Sequence, residues 1–176
     1  MAGSLYLHDL QSPMNIGMLL RLAEIYQRQV FVTDSYKVFN NDTSVRKISD
    51  LAVGALQRRP IEFVSDIIEL RAKGSIGRFL ATDSVSHSSN PFVFEWQADD
   101  CIALGNELDG ISAELIQTAD ATLKIPMPSI YHPKPASYEP IDPKRSAPVS
   151  NEGAPSLNVA TAGAVLICTA FNQLGR

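Results

Sequence analysis

The chain closes on "APSLNVATAGAVLICTAFNQLGR" (residues 154–176), and from Val159 to Phe171 this stretch carries no charged side chain. A helix that is apolar on nearly every side is a buried one, covered by its own domain or by another surface. Its thirteen uncharged residues fall short of the roughly 20 that a membrane-spanning helix needs. Five of the thirteen are Ala or Gly, which suits close helix packing. The stretch therefore predicts a helix over 157–174, clamped between the core and a partner surface. Ser156 and Asn158, just behind Pro155, are both candidates for its N-cap.

Working back from that helix, short apolar runs alternate with helical periods. "SLYLHDL" (4–10), "QVFVTD" (29–34), "GRFLATDS" (77–84), "CIALGNE" (101–107) and "ATLKIP" (121–126) read as strands. Ile16, Leu19, Leu20 and Ala23 recur at helical spacing, with Met18, Leu22 and Ile25 as a second stripe, so this helix is expected to be buried on two sides. "VSDIIELRAKG" (64–74) predicts a helix ending at Gly74, and a short one is expected near 112–118. Strands alternating with helices predict an α/β fold, a mostly parallel sheet with helices on both faces. Ligands of such sheets sit outside the carboxyl ends of the strands.

One segment breaks the alternation. Eight of the eleven prolines fall between Pro126 and Pro155, a density that builds neither helix nor central strand. It reads as a Pro-rich insert at about 128–155 within a single domain spanning 1–176.

Length and an apolar content of 45% are those of a globular chain with a sizeable core. The opening "MAGSLYLHDL" lacks a basic segment and a long apolar run, so no secretory signal is expected. Cys101 and Cys168 lie far apart in apolar stretches, and His8, His87 and His132 are scattered. Neither a disulfide framework nor a metal spacing is present, and the expectation is a metal-free protein of the reducing cytoplasm. The net charge of −4 argues against strong nonspecific nucleic-acid binding. Residues 1–60 nevertheless hold seven Lys/Arg against five Asp/Glu, so a polyanion would meet the N-terminal third.

Three polar turns punctuate the apolar pattern: "SPMNIGMLLR" (12–21) with Asn15, Gly17 and Arg21; "LGNELDGIS" (104–112) followed by "IPM" (125–127); and "SLNV" (156–159). In this order they resemble the SpoU (TrmH-type) branch of the SPOUT RNA methyltransferases, whose motifs read N-x-G-x-x-x-R, then G-x-E-x-x-G-[IL] with I-P-M, then S-L-N-V. The resemblance covers about residues 5–174. It implies a parallel α/β sheet with a C-terminal deep trefoil knot, and a homodimer whose interface takes in the last helix. It also implies S-adenosylmethionine as methyl donor and an RNA ribose 2′-hydroxyl, of tRNA or rRNA, as acceptor.

By the same resemblance Arg21 is the residue most tied to catalysis, either assisting deprotonation of the hydroxyl or holding an RNA phosphate beside it. Arginine is a donor without acceptor capacity and stays charged, which favours phosphate binding and stabilisation of the developing alkoxide. Asn15 would position Arg21 or the nucleotide. Glu107 would orient the site or pair with a cation, and Ser156 and Asn158 would hydrogen-bond in the cofactor–ribose pocket. Gly105, Ile125, Met127 and Leu157 would bind the cofactor through backbone, with Thr82 at the end of the third expected strand. The 28-residue insert departs from the family pattern, either as a lid or as an excursion that leaves the pocket unchanged. Two other readings are a non-catalytic RNA-binding relative of the same fold and a generic nucleotide-binding enzyme. The latter predicts a glycine-rich loop after the first strand, and "HDLQSPMNIG" is not one.

Overall fold

A computed structural model describes residues 3–65, 67–82, 88–127 and 157–175 of the chain. Ser156, His87, His132 and the insert at 128–155 lie outside the described residues. The chain divides into two compact units, Met1–Ile125 with Asn158–Arg176, and Pro126–Leu157. The sheet and its helices all belong to the first.

Six strands, β1 (Ser4–His8), β2 (Gln29–Thr33), β3 (Glu62–Phe63), β4 (Phe79–Thr82), β5 (Cys101–Leu104) and β6 (Ala121–Leu123), form one sheet in the order β3-β2-β1-β5-β4-β6. Every pairing is parallel. Parallel strands are covered on both faces, which is why their sequences are apolar runs rather than alternations. Leu5, Leu7, Val30, Val32, Ile102 and Leu104 point into one core, shared with helices α1 (Pro13–Ile25), α2 (Asp42–Ala52) and α6 (Val159–Leu174). Tyr6, Phe31, Phe79, Cys101 and Ala103 point into the other, against α4 (Ile67–Ala72) and the half-buried Leu115 and Ile116 of α5 (Ala113–Thr118). A single turn, α3 (Ala55–Arg58), follows α2.

Strand β1 is central, with β2 on one side and β5 on the other. After β1 the chain turns to β2 on one side and after β5 it turns to β6 on the other, so the crevice between the exits of β1 and β5 is the topological switch point, where α/β sheets place their ligands.

Helix α1 buries Ile16, Leu19, Leu20 and Ala23, but its second apolar stripe is not covered. Met18 and Ile25 are exposed and Leu22 is half-buried, so within one chain α1 is buried on one side only. Gly17 is the point of contact with α2: an added Cβ would lie 2.7 Å from Leu51 Cβ and 2.8 Å from the Ile48 carbonyl oxygen. Of the two expected caps of α6, Asn158 does the capping, its Oδ1 accepting from the N–H groups of Ala160 and Thr161 at 2.9 and 3.3 Å. Helix α6 buries Ala160, Gly163, Leu166, Ile167 and Ala170, while Cys168 and Phe171 face outward. No helix among the described residues is long and apolar enough to cross a membrane.

Candidate active site

The exit of β5 makes a tight turn in which Asn106 and Gly110 exchange backbone hydrogen bonds, each 2.9 Å. The turn folds back so closely on Gly105 that a Cβ there would lie 2.3 Å from the Gly110 carbonyl carbon. Only glycine fits. Asn106 is buried and braces the turn: its Oδ1 accepts from Leu108 and Asp109 N–H, and its Nδ2 donates to the Asp9 carbonyl at 2.6 Å. That last bond ties the exit of β5 to the exit of β1.

From this braced turn Glu107 reaches across to the start of α1. Its carboxylate accepts three N–H groups, those of Gln11 at 2.9 Å, Ser12 at 3.1 Å and Asn15 Nδ2 at 2.8 Å. Glu107 thus fixes the turn before α1, whose own cap is the Ser12 hydroxyl accepting from Asn15 N–H, with Pro13 in the first turn. The buried Asn15 side chain completes a relay, because its Oδ1 accepts from Asn158 Nδ2 at 3.0 Å. Asn158, Asn15 and Glu107 come from three separate turns of the sequence and are joined here hand to hand. The Asn15 amide is engaged with Glu107 and Asn158 rather than with Arg21. Amides of this kind fix geometry, and both partners of a buried amide must be present or the orphaned group costs free energy.

Arg21 lies on the open side of α1, exposed, in the stripe shared with Met14, Met18 and Ile25. Thr82 ends β4, and its hydroxyl donates to the Ala103 carbonyl at 2.9 Å, so its backbone is what it has left to offer a ligand. Ile125, two residues past β6, packs against the larger core. Met127 and Leu157 belong to the second unit, and both are exposed. Beside Asp9, the Tyr6 hydroxyl lies 3.1 Å from His8 Nδ1 and 3.2 Å from Thr33 Oγ1. Burial lowers the pKa of His8, with the charge of Asp9 opposing it, which favours the neutral imidazole. Among the described residues no group of three or more His, Cys, Asp or Glu could hold a metal ion.

The sequence model of the SpoU rRNA Methylase family matches residues 3–132, well over half the chain. The chain belongs to this family. A curated relative, the Mus musculus tRNA (guanosine(18)-2′-O)-methyltransferase TARBP1, is 26% identical over 127 residues, 69% of this chain and 8% of the relative. The SpoU methyltransferase AviRb of Streptomyces viridochromogenes, solved in complex with the cofactor AdoMet, matches with a TM-score of 0.70 and 22% identity, over 98% of this chain and 60% of that one. A structure described as giving insights into the 2-OH methylation of C/U34 on tRNA matches with a TM-score of 0.71 and 20% identity, over 98% of this chain and 97% of that one. The chain therefore spans a small part of the mouse relative and about three fifths of AviRb.

Within this SpoU domain the sequence left Asn106 and Asp9 unassigned. Asn106 stands beside the motif glutamate, and an Asn followed by two residues whose N–H groups can turn back on it is an Asx-turn signal. Asp9 carried a weaker one: it is held at a φ of 52°, a conformation that Asn and Asp tolerate better than most side chains.

Proposed function

We propose that the chain transfers a methyl group from S-adenosylmethionine to a ribose 2′-hydroxyl of RNA, with tRNA rather than rRNA as substrate. The observation that carries this reading is the Glu107–Asn15–Asn158 relay at the switch point, a polar cluster drawn from three turns. The tRNA assignment is supported by the names of the curated relative and of the C/U34 structure, although the family description names rRNA.

The residues present fit the cofactor. The exits of β4, β5 and β6 offer Thr82, Gly105 and Ile125, whose backbone groups and apolar side chain suit an adenosine. Met127, Leu157 and Ser156 are the further candidates from the loops that follow. When bound, the cofactor supplies a methyl group already activated by its positive sulfur. The remaining work is orientation, which can lower a barrier by up to about 7–11 kcal/mol when groups are well aligned. Arg21 presents its planar fork to an RNA phosphate and to the alkoxide developing on the ribose. The proton leaves to phosphate or water, because arginine has no lone pair to accept it. Asn15 and Glu107 are positioning residues that fix the first turn of α1, and with it the helix that carries Arg21.

The same reading extends to assembly. The open stripe Met14, Met18 and Ile25 on α1 and the exposed Phe171 on α6, edge-on to Tyr26 at 5.1 Å, form the surface that a twin chain would cover. A homodimer over that face takes in Arg21, and the C-terminal segment is read as threaded into the family's trefoil knot. The test is methyl transfer from isotope-labelled S-adenosylmethionine to unmethylated tRNA and rRNA, followed by digestion to nucleosides. Label on a 2′-O-methyl nucleoside of tRNA is expected; label on a base overturns the chemistry, and label in rRNA alone overturns the substrate.

A further inference from the structure

A second cleft, of about 430 Å³, opens at the same edge of the sheet, outside the exits of β2 and β3. It is lined by Val32, Asp34, Lys37, Asn40, Phe63, Val64 and Ser65. No step of the methyl transfer described above uses it. Three observations say what it is built to receive.

The first is an aromatic ring in an unusual place. Phe63 ends the edge strand β3 and is 56% exposed, on the carboxyl side of the sheet where ligands bind. Its ring meets that of Phe39 in a T-shaped contact, with centroids 5.1 Å apart and planes at 84°, which steadies the exposed ring. The second is charge. Lys37 is exposed and is held at a φ of 55°, a left-handed conformation unfavourable for a side chain of its kind. Asp34 imposes that turn by accepting from Val38 and Phe39 N–H at 2.8 and 2.9 Å. Both carboxylate oxygens are thereby engaged, which lessens the field that Asp34 would set against an anion. The Asn40 amide and the Ser65 hydroxyl add neutral hydrogen-bonding groups to the lining.

The third observation is continuity with the relay. Ser35, beside Asp34, donates its N–H and its hydroxyl to the Asp9 carboxylate at 2.8 and 3.0 Å, and the Asp9 carbonyl is the group that Asn106 grips. The cleft mouth and the switch point therefore share one braced loop, and the exits of β1 and β2 stand one strand spacing apart, about 4.8 Å.

A flat exposed ring, one cation and neutral hydrogen-bonding groups match the parts of a single nucleotide. Proteins that hold single-stranded RNA combine these elements, bases on aromatic faces and phosphates on lysine or arginine. We propose that this cleft is a nucleotide subsite: it takes an unpaired base of the RNA flanking the methylated ribose, stacked on Phe63, with its phosphate on Lys37. The proposal rests on the methyltransferase reading and adds to it where the substrate strand runs.

The test uses the full chain and a short oligouridine carrying one central 2-aminopurine, whose fluorescence is quenched on stacking. Wild type should quench the probe. Phe63→Leu, which keeps an apolar side chain on an exposed edge but removes the ring, should weaken binding about tenfold and abolish the quench, while Phe63→Tyr stays within about twofold of wild type. Lys37→Ala should reduce the slope of log affinity against log salt by about 0.7, one phosphate contact on a single strand. Unlabelled oligouridine should displace the probe, and adenosine monophosphate at the same concentration should not. A quench that survives in Phe63→Leu, an unchanged salt slope in Lys37→Ala, or equal displacement by the free nucleotide overturns the subsite. S-adenosylmethionine binding is measured on every variant: normal binding with no ring dependence removes the subsite alone, whereas no binding by wild type removes the methyltransferase reading beneath it.

Discussion

Replacing Glu107 by alanine distinguishes a carboxylate that positions the site from one that pairs with a cation. In the folded chain Glu107 receives the Asn15 amide and two backbone N–H groups. The backbone donors of Gln11 and Ser12 are at the surface, and water can replace their partner. The Asn15 amide is buried, and removing its acceptor leaves a desolvated donor at a cost of about 1–3 kcal/mol. For a domain of this size that corresponds to a fall in Tm of roughly 2–12 °C. Glu107→Gln should cost less, because a single amide oxygen can still accept from Asn15 Nδ2 and Ser12 N–H, which share one carboxylate oxygen, and only the exposed Gln11 N–H loses its acceptor. Thermal unfolding followed by circular dichroism measures both variants, and methyl transfer should fall with them as the first turn of α1 loosens. A Glu107→Gln protein with wild-type Tm and no activity would refute the positioning role and return Glu107 to the chemistry.

Arg21 is exposed, so Arg21→Ala should leave Tm and S-adenosylmethionine affinity unchanged and abolish transfer to RNA; parallel calorimetry and transfer assays check this. Gly105→Ala drives a Cβ into the Gly110 backbone, which should cost about 3 kcal/mol or more, because neither strand exit can move freely; the readouts are Tm and cofactor affinity, both expected to drop. His8 has a lowered pKa through burial, so below about pH 6.5 the unfolded chain binds more protons than the folded one and stability rises with pH across that window. His8→Asn should flatten that rise in Tm between about pH 5 and 7.

The elements legible in the sequence were those with a strong period or a long apolar run. Strands β1, β2, β4, β5 and β6 stand where their runs were read, and α1 and α6 begin behind their polar caps. Helix α2 was missed because "DTSVRKISDLA" is mostly polar, its burial resting on Ile48 and Ala52 behind an Asn41 cap. Strand β3 has two residues, too few for an alternation to register. The expected helix at 64–74 shortens to Ile67–Ala72. The second stripe of α1 is apolar yet open in the single chain, because composition records that a face avoids water and not what covers it.

The site was legible in its parts and illegible in its wiring. Asn15, Glu107 and Asn158 were singled out through motif spacing, but the Asn158–Asn15 bond joins residues 143 apart in sequence. No local pattern encodes it. It exists because β1 and β5 are neighbours in the sheet and α6 packs beside α1. Gly17 illustrates the reverse: a motif glycine whose structural reason is the close approach of α2 to α1.

The most direct measurement is a calorimetric titration of the folded chain with S-adenosylmethionine. If separate polar turns converge on one methyl-donor cavity, wild type binds in the micromolar range, about −8 kcal/mol, and Asn158→Ala binds at least about tenfold more weakly. A folded wild-type chain that gives no binding heat and no competition would contradict the account.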